Sequence, residues 1–171
     1  MPTNPSLHTL VAVDTNVLLD CACGEESVLD ALATIRRKLK GAQMIVSPTV
    51  LEELGYWARF AEEPERKKAA QAALRSLRTK WSFRPVNLIP VGHGIVEQIA
   101  LRLQRAGLLP ATEYHDALIL SEAALLGCSI LLTSDAHLRE LDYRRALVEL
   151  KACDVEMPVV ATPREIVAKF F

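Results

Sequence analysis

A chain of 171 residues, half of them hydrophobic, 24% charged and only 5% aromatic, has the size of one globular domain with an aliphatic core. No uncharged apolar run approaches the ~18 residues of a spanning helix, and residues 1–8 lack the basic and apolar stretches of a leader, so a cytoplasmic protein with no membrane partner is expected. Cys21, Cys23, Cys128 and Cys153 form no CxxC pair, which speaks against a zinc finger or a disulfide framework, and a net charge of −1 gives no overall basic excess for nucleic acid.

In chain order, Thr9–Val13 reads as a short buried strand ending at Asp14, and Ser27–Lys40 as a helix stopped by Gly41. Gln43–Ser47 is a second strand. Pro48 and Pro64 suit the first turns of helices over Pro48–Ala61 and Glu65–Lys80. Asn87–Val91 is a third strand candidate. Ile95–Ala106, closed by Gly107, and Glu113–Leu126, capped by Thr112 and closed by Gly127, are helices. Ser129–Thr133 is a strand running into Ser134-Asp135, Tyr143–Lys151 a helix, Pro158–Ala161 a last strand and Arg164–Phe170 a terminal helix.

Short apolar strands alternating with helices predict a three-layer α/β/α sandwich around a short, mainly parallel sheet, because parallel strands need crossover connections. The whole chain, residues 1–171, is expected to be one such domain. Ligands of these sheets bind beyond the carboxyl ends of the strands, so the residues just past those ends carry the functional reading.

Carboxylates stand there. Asp14 follows the first strand and Asp135 the fourth; each reads either as a helix cap or as a site residue. At 100° per residue on the Pro48–Ala61 helix, Glu52 lies opposite the stripe of Val50, Leu54, Trp57 and Ala61, whereas Glu53 borders it. Glu53 is thus aimed inward, either to a site or along the stripe edge to water. Asp116 shares a face with Ile119, Leu120 and Ala123, where a carboxylate is costly unless paired or bound to a cation; a first-turn acid favoured by the helix dipole is the other reading. Glu113 is a nearby fifth acid. Acids converging at one sheet edge would raise one another's pKa values unless a cation sits among them, and all-oxygen ligation suits Mg2+ or Mn2+. The chemistry that follows is metal-assisted phosphodiester hydrolysis.

The net charge also hides an asymmetry. Between Arg59 and Arg84, eight basic residues stand against three acidic ones, a local +5, so the remainder totals −6. Lys67, Lys68, Arg75, Arg78, Lys80 and Arg84 can track an RNA backbone while Trp81 or Phe83 stacks on a base, or the two aromatics can anchor the segment to the core. His93 and His137 have no nearby Cys or His partner and read as structural or surface residues.

These residues resemble the PIN-domain ribonuclease family, and within it the single-domain VapC-type toxins. Val13-Asp14-Thr15-Asn16-Val17-Leu18-Leu19 resembles the family's opening segment with its first acid; Val46-Ser47-Pro48-Thr49-Val50-Leu51 and Glu53-Leu54 bracket the second, a position that Glu52 could also fill. His115-Asp116-Ala117-Leu118-Ile119 is similar to the third segment and Leu132-Thr133-Ser134-Asp135-Ala136-His137-Leu138 to the fourth; Thr162-Pro163-Arg164-Glu165 resembles the closing helix. The resemblance implies a Mg2+- or Mn2+-dependent endoribonuclease acting on RNA, often a homodimer and, as a toxin, held by a cognate antitoxin. It makes Asp14, Glu53, Asp116 and Asp135 the catalytic metal ligands, and Thr15, Asn16 and Thr133 groups that orient them or the substrate. The chain departs from the compact toxins by extra length, mainly a basic helical insertion at about 62–84 and also Asp142–Asp154.

Two other classes compete. One is a catalytically inactive RNA- or protein-binding module on the same fold, against which all four acid positions are filled. The other is phosphoryl transfer through an aspartyl-phosphate; position 16 is Asn where dehalogenase-like phosphatases want a second Asp, and the strand ends carry no Lys.

Overall fold

A computed structural model describes residues 9–88 and 92–170, without the side chain of residue 93. Five parallel strands, β1 (Leu10–Val13), β2 (Gln43–Val46), β3 (Arg84–Pro85), β4 (Ile130–Leu132) and β5 (Val159–Ala161), form one sheet in the order β3-β2-β1-β4-β5. The described residues also form nine helices: α1 (Thr15–Cys23), α2 (Glu26–Lys38), α3 (Pro48–Phe60), α4 (Pro64–Ser76), α5 (Gly92–Arg105), α6 (Tyr114–Leu125), α7 (Ala136–Arg139), α8 (Tyr143–Lys151) and α9 (Pro163–Phe170). The architecture is the expected α/β/α sandwich. Helix α2 packs on α9, while α1 with α4, α4 with α3, α3 with α6, and α6 with α5 make a continuous run of helix contacts.

The order of the strands fixes where a site can form. From β1 the chain crosses to β2 and β3 on one side, then returns to lay β4 and β5 on the other, so the connections leaving β1 and β4 diverge. A cleft opens at such a switch point, at the carboxyl ends of the two strands. Asp14 donates its backbone N–H to Leu132 O at 2.9 Å, which locks the end of β1 to the end of β4.

The core follows from composition. Val11, Val13, Ile45, Val46, Leu131 and Leu132 fill the sheet faces, with Leu18, Ile35, Leu54, Leu103 and Leu120 from the helices. Helix α6 is buried around most of its circumference, from Ala117 through Ala124, as expected of an apolar helix enclosed by neighbours.

Several sequence expectations need correction. Helix α1 starts immediately after Asp14, in a stretch, up to Ser27, where no element was expected; it is capped by Asp14 at its start and by Gly24, at φ 78°, at its end. The third strand is Arg84–Pro85 rather than Asn87–Val91: Asn87 and Leu88 are outside any strand, and residues 89–91 lie outside the described residues. Pro85, which has no N–H, is accommodated because β3 is an edge strand. Helix α4 ends at Ser76 instead of Lys80. Thr112 does not cap α6; Glu113 occupies that position with no capping side-chain bond, and the Thr112 hydroxyl donates to Glu113 at 3.3 Å.

Candidate metal centre

Four elements bring the four acids together at the switch point. Asp14 is carried on the end of β1, Glu53 on the second turn of α3, Asp116 on the first turn of α6 and Asp135 on the loop after β4. Glu52, by contrast, is exposed on α3. The helical-face reading therefore selects the correct member of the pair for the convergence.

Asp14 is only 3% exposed. Its Oδ1 accepts the Thr15 backbone N–H and its Oδ2 the Thr133 hydroxyl, each at 2.6 Å. Burial pushes its pKa up from the ordinary 3.8 to about 6; the bonds from Thr133 and Thr15 pull against that rise, and the Glu53 and Asp135 charges add to it. Thr133 is wholly buried and serves twice, since its Oγ1 also accepts the Asp135 backbone N–H at 3.0 Å. Asp135 in turn caps α7, its Oδ1 accepting the N–H groups of His137 at 2.8 Å and Leu138 at 3.1 Å. Asp14 and Asp135 thus each cap a helix and stand in the acidic cluster at the same time.

Glu53 is oriented from two sides. The Thr15 hydroxyl donates to its Oε2, and the His115 ring Nδ1 lies 2.8 Å from its Oε1. Asn16 is half-buried in the first turn of α1, beside these groups in sequence.

Asp116 is the least satisfied member. Its side chain is 16% exposed, and its Oδ2 is buried with no hydrogen-bond donor among the described residues. Burial, followed by the charges of Asp135, Asp14, Glu113 and Glu53, raises its pKa from 3.8 to about 8. An orphaned buried carboxylate oxygen facing other acids is costly in a protein with no cation in place. Neither Lys nor Arg pairs with any of the four among the described residues; the nearby nitrogen groups are His115 and His137. This donor set fits a hard divalent cation, with Asp116 the group left most in need of it.

Three further residues enter the site: Glu113, named in the sequence only as a nearby fifth acid, and two histidines that the sequence reading did not place there. His115 holds Glu53, and Glu113 and His137 join Asp116 in a group whose ligand atoms all lie within 4.8 Å of one another. His137 is therefore not an isolated surface histidine. The available signal was position: His115 adjoins Asp116, and His137 follows Asp135 by two residues. A fourth residue acts from behind. Glu122, buried on α6, accepts the Thr49 hydroxyl at 2.8 Å and the Thr49 N–H at 3.2 Å, so a carboxylate of α6 occupies the N-terminus of α3, one turn before Glu53. Burial raises its pKa, and the Thr49 bonds oppose that rise.

The basic segment sits differently. Trp81 and Phe83 are 5% and 2% exposed and pack edge to face at 6.0 Å, so they anchor the chain to the core and present no ring to a base. Lys80 lies over the Trp81 ring, and Arg84 reaches Gln43 at the start of β2, placing both at the amino edge of the sheet, opposite the acids. Lys68 pairs with Glu65 within α4, and Arg75 and Arg78 are exposed. Lys67 is half-buried.

Comparison with known proteins matches the model of one family, described as PIN domain, to residues 11–143, a span that includes all four acids and both threonines. Among solved structures, the fold is similar to a chain in the crystal structure of VapBC2 from Rickettsia felis bound to a DNA fragment from their promoter. That likeness has a TM-score of 0.62 at 15% identity and covers 90% of this chain and 98% of that one. It is also similar to a chain in the crystal structure of FitAcB from Neisseria gonorrhoeae, with a TM-score of 0.54 at 17% identity over 90% and 97% of the two chains. No curated protein matches the chain in sequence.

Proposed function

The chain belongs to the PIN domain family, and from that premise we propose that it is a divalent-metal-dependent endoribonuclease hydrolysing RNA phosphodiester bonds. One observation carries the reading: Asp14, Glu53, Asp116 and Asp135, from four separate elements, meet at the switch point of the sheet around a buried carboxylate oxygen that has no donor. These four would hold Mg2+ or Mn2+. The chemistry a divalent cation supplies in such a site is neutralisation of charge on a phosphoryl oxygen and acidification of water.

The chain's own residues supply orientation. Thr133 and the Thr15 N–H fix both oxygens of Asp14, the Thr15 hydroxyl and His115 fix Glu53, and the α7 amides fix Asp135, so the acids are set before substrate arrives. Asn16, beside them on α1, is assigned to the substrate side. An aspartyl-phosphate route is disfavoured by the same bonds, because a nucleophilic Asp14 would have to leave two of them while almost wholly buried. Lys67, Lys68, Arg75 and Arg78 on or just after α4 are assigned to the RNA backbone, with Lys80 and Arg84 extending the basic surface around the far edge. In the toxin form of this reading the chain is a homodimer held by a cognate antitoxin; VapBC2 and FitAcB are the fold relatives that suggest it.

The test is substitution. Asp14→Asn and Asp135→Asn should each abolish Mg2+- or Mn2+-dependent cleavage of RNA, with the far-ultraviolet circular dichroism of the wild type retained. Undiminished cleavage by either variant would refute the assignment.

A further inference from the structure

The ring of His137 sits over the acids in an arrangement that hydrogen bonding does not explain. Its Nδ1 lies 3.9 Å from Glu113 Oε2, 3.9 Å from Asp116 Oδ2 and 3.8 Å from Asp135 Oδ1. Each separation exceeds the ~3.2 Å limit of an N–H···O hydrogen bond. Each also falls inside the ~4.2 Å that two ligands can span when both lie about 2.1 Å from one ion. One of the three oxygens, Asp116 Oδ2, is the buried atom that no donor satisfies. Glu113, Asp116 and His137 thus each offer a ligand atom within 4.8 Å of the other two, Asp135 Oδ1 approaches the same ring nitrogen, and one of the donors is nitrogen.

We propose that Glu113, Asp116 and His137, with Asp135 beside them, form a cation subsite whose imidazole donor makes this protein prefer Mn2+ over Mg2+. The proposal rests on the divalent-metal reading given above and adds two ligands to it. Mg2+ holds oxygen ligands and keeps its waters, whereas imidazole is a donor for first-row transition ions; adding one nitrogen to a carboxylate set shifts selectivity toward the latter. The His137 backbone N–H, bonded to Asp135, fixes where the side chain begins, and the side chain is 47% exposed, so the ring can be exchanged without opening the core. The ligand atoms of Glu113, Asp116 and His137 are all within 4.8 Å of one another, and Glu113, a third exposed, closes the remaining gap by side-chain rotation.

The probe is Mn2+ alone, added to the full chain, with electron spin-echo modulation reporting nitrogen in its coordination shell and Mg2+ used as competitor. Expected is a nitrogen modulation in the wild type that disappears in His137→Gln. The Mn2+-to-Mg2+ affinity ratio should fall about tenfold or more in that variant and in part in Glu113→Gln. If Mn2+ binds in an Asp116-dependent way but shows no nitrogen coupling, and His137→Gln leaves the ratio unchanged, the proposal is overturned while the metal reading of the four acids stands. If neither ion binds the wild type, both are overturned. Thermal unfolding of His137→Gln within a degree or two of the wild type in chelator confirms that the comparison is between folded proteins.

Discussion

Replacing Asp116 by Asn should stabilise the metal-free protein while destroying its function. In the folded chain the Asp116 pKa is raised from 3.8 to about 8, chiefly by burial and then by the neighbouring carboxylates. A group whose folded pKa lies above its unfolded value binds protons preferentially in the folded state. Its contribution is therefore fully present below about pH 4 and is lost as the pH rises toward 8. At pH 7 the unfolded carboxyl has ionised and the folded one has not, a gap of about three pH units, worth roughly 4 kcal/mol at 1.36 kcal/mol per unit. Solvent reaches part of the site, and screening reduces this to on the order of 2 kcal/mol. Asn has the same shape, carries no charge and turns an amide donor toward acids that lack one. Metal-free Asp116→Asn should thus match the wild type at pH 4 and exceed its melting temperature at pH 8 by about 4–8 °C, taking 2–4 °C per kcal/mol for a chain of this size. Calorimetric unfolding in chelator at the two pH values makes the measurement. Saturating Mn2+ should then raise the wild type and leave the variant where it was. A variant no more stable than the wild type at pH 8 would show that the Asp116 carboxylate is satisfied in solution, and the argument from its orphaned oxygen would fail.

Glu122→Leu leaves the buried Thr49 N–H and hydroxyl without an acceptor and should cost about 2–3 kcal/mol in denaturant unfolding, whereas Glu122→Gln, which keeps one acceptor, should cost less than about 1 kcal/mol; equal losses would refute the capping of α3 from α6. Thr133→Val removes the donor that holds Asp14 and the acceptor that holds the Asp135 N–H, so Mn2+ affinity measured by titration calorimetry should fall at least about tenfold, and an unchanged affinity would separate Thr133 from the metal site. Trp81→Ala should cost about 3–5 kcal/mol through the cavity it leaves; stability unchanged with RNA affinity lost would instead restore the base-stacking role.

Most of the architecture was legible because a buried parallel strand leaves a short run of Val, Ile and Leu ending in a polar residue, and β1, β2, β4 and β5 all do so. The same habit hid α1. Its opening Val17-Leu18-Leu19 is apolar because the helix enters the core directly from β1, and only the Asp14 cap and Gly24 mark its two ends. Strand β3 was misplaced because its two residues, Arg84 and Pro85, carry no strand signature; pairing with β2 alone defines it. At the site, strand-end position identified Asp14 and Asp135, and helical phase separated Glu53 from Glu52. Glu113 was named only as a nearby acid, and His115 and His137 were missed, because their placement depends on α3, α6 and α7 meeting in space. Glu122 had a readable signal: an acid in the middle of a helix without a polar face must be buried, and a buried acid needs a donor from elsewhere.

The arrangement also explains how like charges are kept together without a cation among the side chains. Three of the four acids are held by something the fold needs in any case. Asp14 caps α1 and Asp135 caps α7, so the helix ends that stabilise the chain also point carboxylates at one another. Glu53 is held by Thr15, the first residue after the Asp14 cap, and Thr133 joins Asp14 to the Asp135 backbone. A bond therefore cannot be lost at one acid without loosening another. Asp116 stands outside this network, with no donor for Oδ2, and it is there that mutual repulsion and burial accumulate. Caps and threonines compensate three of the carboxylates internally, and the fourth has an oxygen with no such partner among the described residues. On the proposed metal-dependent reading, the link between stability and metal binding would accordingly run through Asp116, the carboxylate at which burial and neighbouring charge raise the pKa to about 8.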